Sequence, residues 1–336
     1  MVNIIKLFKA FIFKNRPIYA HYGITHRCNL RCRMCHIYQD ADENEELSLE
    51  EIGKVFDFLK SLGVIYISIG GGEPFLRKDL PSVIKLLREK GAMVRLLTNG
   101  TLCDERVIKA LVAAGLREVS VSLDTLDSKK QAHICNCEGV WEKVMRSIDL
   151  FSSLLPKQRG ILLINTVVSP FNISELPELS VFARKKGYYT SYVPVECDEA
   201  SGFAFTSDDY RLIDESYDNL IKMKKSGKSG IFNSSLFLEK SRQYIKSGRR
   251  NWRCDAGKLY FSVNPNGKIS ICHKFESFIS PSDNKPFESV EFENRRKYMT
   301  DNCAGCMRPC WAELSFLLKD KRSFLEMAWI RMSRAG

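Results

Sequence analysis

Between residues 18 and about 195, short runs of apolar, often β-branched residues alternate with longer segments whose apolar positions recur every three or four residues. The first pattern predicts strands and the second amphipathic helices. Strands are expected at 18–24, 64–69, 93–97, 118–123, 161–168 and 189–195. Helices are expected at about 49–62 behind a serine cap, then at 80–90, 104–114, 139–154 and 173–186. Glycines at 91, 115 and 187 stop three of them. Six βα-like repeats imply an α/β fold with a parallel sheet, read as a partial (β/α)6 TIM-like barrel. Such sheets bind ligands at the carboxyl ends of their strands. Gly70-Gly71-Gly72-Glu73-Pro74, Thr98-Asn99-Gly100-Thr101 and Ser122-Leu123-Asp124 all lie at strand ends, so one rim should collect them.

After residue 200 the pattern changes. Residues 201–252 are rich in Ser, Lys and Asp and read as a helical connector with helices at 208–225 and 236–246. From Cys254 a hairpin is expected: 259–263, the turn Asn264-Pro265-Asn266-Gly267, then 268–272. Residues 312–332 read as one closing amphipathic helix. The expected organisation is an amphipathic segment (1–17), the barrel (18–200), the connector, a Cys-rich module (253–312) and the C-terminal helix (313–336). At the start, Ile4, Ile5, Leu7, Phe8, Phe11 and Ile12 share a helical face beside Lys6, Lys9 and Lys14. Such a helix packs on the domain, or lies in an anionic membrane interface through residues 1–14.

The 336 residues are 44% hydrophobic and 27% charged, as in ordinary globular proteins, with a net charge of +11. That balance suits anionic partners as well as a plainly solvated basic surface. No run approaches the ~18 apolar residues of a membrane span. No secretory signal is visible, so the twelve cysteines, in clustered spacings, favour metal ligation over disulfides. A reducing cytoplasm is the expected compartment, with peripheral membrane contact left open.

Cys28, Cys32 and Cys35 follow the first strand at Cys-x3-Cys-x2-Cys spacing. Three thiolates on one loop hold three corners of a cubane iron–sulfur cluster and leave the fourth iron open to a chelating small molecule. A zinc site is the alternative, but a fourth ligand at the adjacent His36 strains a tetrahedron. A chance cluster of buried thiols is the other.

Cys28-Asn29-Leu30-Arg31-Cys32-Arg33-Met34-Cys35, with Gly71-Gly72-Glu73-Pro74 after the second strand, resembles the radical S-adenosylmethionine (radical SAM) enzymes over residues 18 to about 195. The resemblance implies a [4Fe–4S] cluster on the three cysteines, its unique iron chelated by S-adenosylmethionine, and a 5′-deoxyadenosyl radical that takes a hydrogen atom from a substrate. It places Met34 against the adenine, where the family often has an aromatic residue, and the His36 backbone at the adenine edge. Gly71, Gly72, Glu73 and Pro74 are implied to receive the methionine ammonium. Asn99, Ser122, Asp124 and, more weakly, Asn165 are implied at the ribose or carboxylate, against the plainer reading of loop hydrogen bonds.

The second cysteine group, Cys254-x12-Gly267-x4-Cys272 and Cys303-x2-Cys306-x3-Cys310, has metal-site spacing, and a zinc ribbon is one reading. Its first half resembles the SPASM/twitch extension of radical SAM enzymes, which carries auxiliary [4Fe–4S] clusters. Five cysteines imply one auxiliary cluster rather than two, with four ligands and one spare. Cys103, Cys135, Cys137 and Cys197 read as small buried hydrophobes, His26 as structural, and Trp252, Trp311 and Trp329 as packing.

The expected function is a radical SAM oxidoreductase or maturase acting on a peptide, protein or lipid-like molecule and fed by a reductant such as ferredoxin or flavodoxin. No leader-recognition domain precedes the barrel pattern, which weighs against a peptide maturase. The competing readings are a non-catalytic iron–sulfur electron carrier, which needs no cradle for S-adenosylmethionine, and a basic zinc-binding nucleic-acid protein. With the enzyme reading, no nucleic acid is expected.

Overall fold

The computed structural model describes residues 16–156, 160–196, 202–227, 230–277, 279 and 289–333. Six strands run in sequence order and pair in parallel: β1 (Tyr19–Thr25), β2 (Tyr66–Gly71), β3 (Met93–Thr98), β4 (Glu118–Ser122), β5 (Ile161–Val168) and β6 (Tyr189–Pro194). The hairpin β7 (Tyr260–Val263) and β8 (Ile269–Ser270) does not stand apart. β7 pairs in parallel with β1, Tyr19 opposite Tyr260 through Tyr22 opposite Val263, so one sheet runs β6-β5-β4-β3-β2-β1-β7-β8. The sheet is an open partial barrel with β6 and β8 as its edges.

Helices α1 (Leu49–Leu62), α2 (Leu80–Glu89), α3 (Glu105–Ala113), α4 (Ser128–Cys135), α5 (Val140–Leu154) and α6 (Leu176–Lys185) cross between successive strands. α1 starts at Ser48, whose capping box with Glu51 satisfies two of the helix's first N–H groups, and stops at Gly63 at φ 117°. Its inward face, Phe56 and Leu59, joins Val83, Leu87, Ile108, Ile148 and Leu179 in the main core against the strands. α7 (Tyr210–Lys225) and α8 (Ser235–Ser247), from the segment read as a connector, put Ile213, Tyr217, Leu220 and Leu238 into that core.

The barrel's inner face is filled differently. Ile161 and Leu163 pack with Phe232, Met327 and Ile330, the last two from the final helix. Next to them Glu118 accepts from Arg331 Nη1 (2.9 Å), Arg95 Nη2 (2.9 Å) and the Tyr66 hydroxyl. Burial alone raises the pKa of Glu118, but Arg331 and Arg95 outweigh it and hold the carboxyl at about 2. This network closes the end of the barrel from which the strands start.

The structure corrects several expectations. The closing helix is two, α10 (Pro309–Leu317) and α11 (Lys321–Met332), because Asp320 accepts from Ser323 N (2.7 Å) and caps a fresh start. α4 and α9 (Val290–Asp301) were not expected from the pattern. The second strand of the hairpin shrinks from 268–272 to Ile269–Ser270. Trp329 is not packing: it is 67% exposed, whereas Trp311 is fully buried. Cys197 and residues 1–14, read as packing or membrane contact, lie outside the described residues. No helix among the described residues is long and apolar enough to cross a membrane.

Candidate active site

The cysteine loop leaves β1 at its carboxyl end, where a register shift between Gly23 and Thr25 turns the chain over the rim. Glu46 anchors its base: the Thr25 hydroxyl donates to Oε1, and Arg27 adds Nε–Oε1 (2.8 Å) and Nη2–Oε2 (3.0 Å). The far side is tied to α4 by Arg33, whose backbone N–H donates to Ile134 O (3.0 Å) and whose Nε donates to His133 O (3.0 Å). On this loop Cys28, Cys32 and Cys35 are half-buried free thiols. Cys35 N donates to Cys32 O (3.0 Å), which tightens the turn. Met34 is half-buried and His36 is exposed.

The glycines after β2 explain how the loop is held. Gly72 N donates to Thr25 O (2.7 Å) and Glu73 N to Arg27 O (2.8 Å). A Cβ on Gly71, at φ +110°, would stand 2.2 Å from Thr25 O, and one on Gly72 would stand 2.0 Å from Arg27 O. These positions therefore admit only glycine, and the close approach they permit is to the loop's own carbonyls. Glu73 is fully buried and accepts from Asn99 N (2.7 Å), Thr98 Oγ1 (2.9 Å) and Phe75 N (3.1 Å). Burial, only partly offset by those donors, pushes its carboxyl up to about 7. Pro74, also buried, starts the short helical turn that follows.

Glu73 in turn places Asn99. The Asn99 amide donates to Asn29 Oδ1 (2.9 Å) and lies 3.8 Å from Cys28 Sγ, while Leu30 N lies 3.5 Å from the same sulfur. Ser122 is half-buried at the end of β4, opposite Asn165 of β5, which is opposite Ser191 of β6. That register makes a polar row across three strands. Asp124 is buried, its Oδ1 accepting from Val167 N (2.8 Å), and burial raises its carboxyl to about 7. Cys135, read as a small hydrophobe, is buried but touches the loop: it hydrogen-bonds the Cys32 thiol and accepts from Gln131 Nε2 (3.2 Å). That bond, then burial, raises the Cys32 pKa; burial raises that of Cys28. Only the unexpected helix α4 could have signalled this contact.

The second cysteine group gathers beside the amino-terminal end of β1. Cys254 Sγ lies 2.9 Å from the Tyr260 hydroxyl, whose titration also feels Cys272 and Cys306. Gly305 N donates to Cys303 Sγ (3.3 Å), closing the Cys303–Cys306 turn, and Cys303 and Cys306 both act on Tyr244. Burial pushes the Cys306 thiol up to about 12. Cys310 is hydrogen-bonded to the Tyr19 hydroxyl on β1.

The residues fit an iron–sulfur cluster at the rim. Three thiols outside any disulfide share one loop, N–H groups point at the Cys28 sulfur, and the glycine contacts fix the loop's height above the sheet.

Residues 22–183 match the Radical SAM superfamily. The chain is 37% identical over 181 residues to a probable GTP 3′,8-cyclase of Methanococcus vannielii, covering 52% of this chain and 58% of that one. It is 32% identical over 183 residues to the GTP 3′,8-cyclase of Campylobacter fetus, covering 52% and 54%. The chain thus spans a little over half the length of these curated relatives. Among solved structures, it resembles Streptococcus suis SuiB bound to the precursor peptide SuiA, with a TM-score of 0.65, 14% identity, and coverage of 87% of this chain and 70% of that one. It also resembles anSMEcpe with bound AdoMet and the Cp18Cys peptide, with a TM-score of 0.62, 15% identity, and coverage of 94% and 99%. These two likenesses establish the fold.

Proposed function

We propose that the chain works as a radical SAM enzyme, in keeping with the match of residues 22–183 to that superfamily, whose enzymes use a [4Fe–4S] cluster and S-adenosylmethionine, that Cys28, Cys32 and Cys35 ligate the cluster, and that the open barrel receives a substrate for hydrogen-atom abstraction. The observation that carries this reading is the seating of the cysteine loop on Gly71 and Gly72, where a Cβ would stand only 2.0–2.2 Å from the loop's carbonyl oxygens. An electron carrier has no use for such a seat beside a row of strand-end polar groups. Once loaded, the cluster and S-adenosylmethionine supply a 5′-deoxyadenosyl radical.

The chain's own residues do the rest. Asn99, fixed by the Glu73 carboxylate through its backbone, offers its amide beside Cys28. Glu73 and Asp124, anionic above pH 7, would offset the positive charge of S-adenosylmethionine in a low-dielectric setting. Met34 and the His36 backbone would cover the adenine, Pro74 holds Glu73 in place, and Ser122 and Asn165 would offer hydroxyl and amide groups to the ribose or carboxylate. The inner face, plugged at the Glu118 end, keeps water from the reacting carbon.

Cys254, Cys272, Cys303 and Cys306 hold one auxiliary cluster. Cys310, turned to Tyr19, is the spare thiol. The hydrogen donor is a peptide, protein or lipid-like molecule, and a low-potential carrier such as ferredoxin or flavodoxin supplies the electron. The Streptococcus suis neighbour binds a precursor peptide, which favours a peptide-like substrate; the cyclase relatives favour a nucleotide.

Anaerobic reconstitution with dithionite and S-adenosylmethionine tests the reading. 5′-Deoxyadenosine should form, and Cys28→Ala should abolish it and remove about four irons per chain. Undiminished formation in that variant would sink the assignment.

A further inference from the structure

Across the gap between the sheet's two edges, Glu196 stands just past β6 and faces two cations from the thiol-bearing side. Its Oε2 lies 3.0 Å from Lys274 Nζ, and its Oε1 lies 3.3 Å from Arg308 Nε. Lys274 follows Cys272 by two residues, and Arg308 lies between Cys306 and Cys310. Two cations and one carboxylate leave a net charge of +1.

The exposures point the same way. The carboxylate is 17% exposed, while the Lys274 side chain is 30% and the Arg308 side chain 41% exposed. A brace holding the barrel edges together would be expected to bury its cations; these remain reachable from the gap. An arginine fork and an ammonium together match the oxygens of a carboxylate or a phosphate.

We propose that Lys274 and Arg308 form a subsite for an anionic group of the substrate, a carboxylate or a phosphate, and that Glu196 occupies it until that group arrives. The proposal rests on the reading above, in which the barrel interior receives the substrate. It adds a chemical requirement: the substrate carries a negatively charged group.

The test is the thermal midpoint of the reconstituted full-length protein in inorganic phosphate, in acetate and in chloride at matched ionic strength. A ligand that binds only the folded state raises the midpoint. Phosphate, acetate or both should raise it by roughly 2–4 °C over chloride, and the responding arm tells phosphate from carboxylate. Arg308→Gln and Lys274→Gln should each abolish the rise, and Glu196→Gln should enlarge it. The subsite is overturned by no rise in the parent protein, by a rise that survives both cation substitutions, or by a Glu196→Gln protein that melts lower in chloride with no larger anion response. The last marks the trio as a brace. A potential of the auxiliary cluster that moves in Arg308→Gln, while the anion response does not, also overturns it and makes Arg308 a counter-charge to the thiolates. Formation of 5′-deoxyadenosine by the same preparations reports separately on the radical chemistry.

Discussion

At the closed end of the barrel Glu118 is buried between Arg95 and Arg331, whereas at the rim Glu73 and Asp124 are buried among neutral donors. The consequence is a separation of carboxyl pKa values, about 2 at one end and about 7 at the other. The closed end brings its own counter-charges, so its network is complete within the chain and serves stability. The rim brings acids without cations, a costly arrangement unless a positive ligand completes it. S-Adenosylmethionine, with an ammonium and a sulfonium, has the charge the rim lacks.

The contrast can be broken most forcefully at Glu118. Glu118→Gln leaves two arginines uncompensated and should cost about 3–5 kcal/mol in urea unfolding, while the folded fraction still binds iron. Gly72→Ala attacks the other end. Its Cβ meets Arg27 O, so the loop must shift, at about 1–3 kcal/mol, and iron content should fall far more than stability does. If iron binding survived, the seat would not be what holds the loop. Glu73→Gln removes charge with little change of shape and should weaken S-adenosylmethionine binding about tenfold, or about 1.4 kcal/mol, as read by equilibrium dialysis.

The smallest effect lies in the pH profile, where the two ends oppose each other. The folded pKa of Glu118 is depressed from 4.5, so its contribution is complete above about 4.5 and is lost as pH falls toward 2. Glu73 and Asp124 are raised from 4.5 and 3.8. They stabilise while protonated, and that contribution is lost as pH rises toward 7. Urea midpoints from pH 4.5 to 7 should therefore decline through the rim carboxyls, and Glu73→Gln should flatten the decline.

The six parallel strands were legible because each is a β-branched run closed by a glycine or a polar strand-end motif. The cysteine loop and the Gly71–Gly72 turn were legible because their chemistry is local. What escaped was long-range or locally ambiguous. α4 is eight residues of mostly polar sequence, and it buries Gln131 beside Ile134 and Cys135. α9 is two-thirds polar, and two of its four apolar residues, Val290 and Tyr298, are exposed. Apolar spacing continues across Leu318 and Lys319, so only Asp320 marks the break between α10 and α11. Cys32 meets Cys135, and Glu196 meets Arg308, across about a hundred residues, a separation that no spacing rule spans.

The pairing of β7 with β1 makes that first strand a ruler. The thiols around Tyr260 sit at its Tyr19 end and the cysteine loop leaves from its Thr25 end. Seven residues at about 3.3 Å each set the two groups some 20 Å apart along the strand. Since β1 is hydrogen-bonded on both sides, that spacing does not change unless the sheet itself comes apart. An electron or a substrate passing between the two thiol groups meets a gap of constant width, and any gating has to come from what fills it.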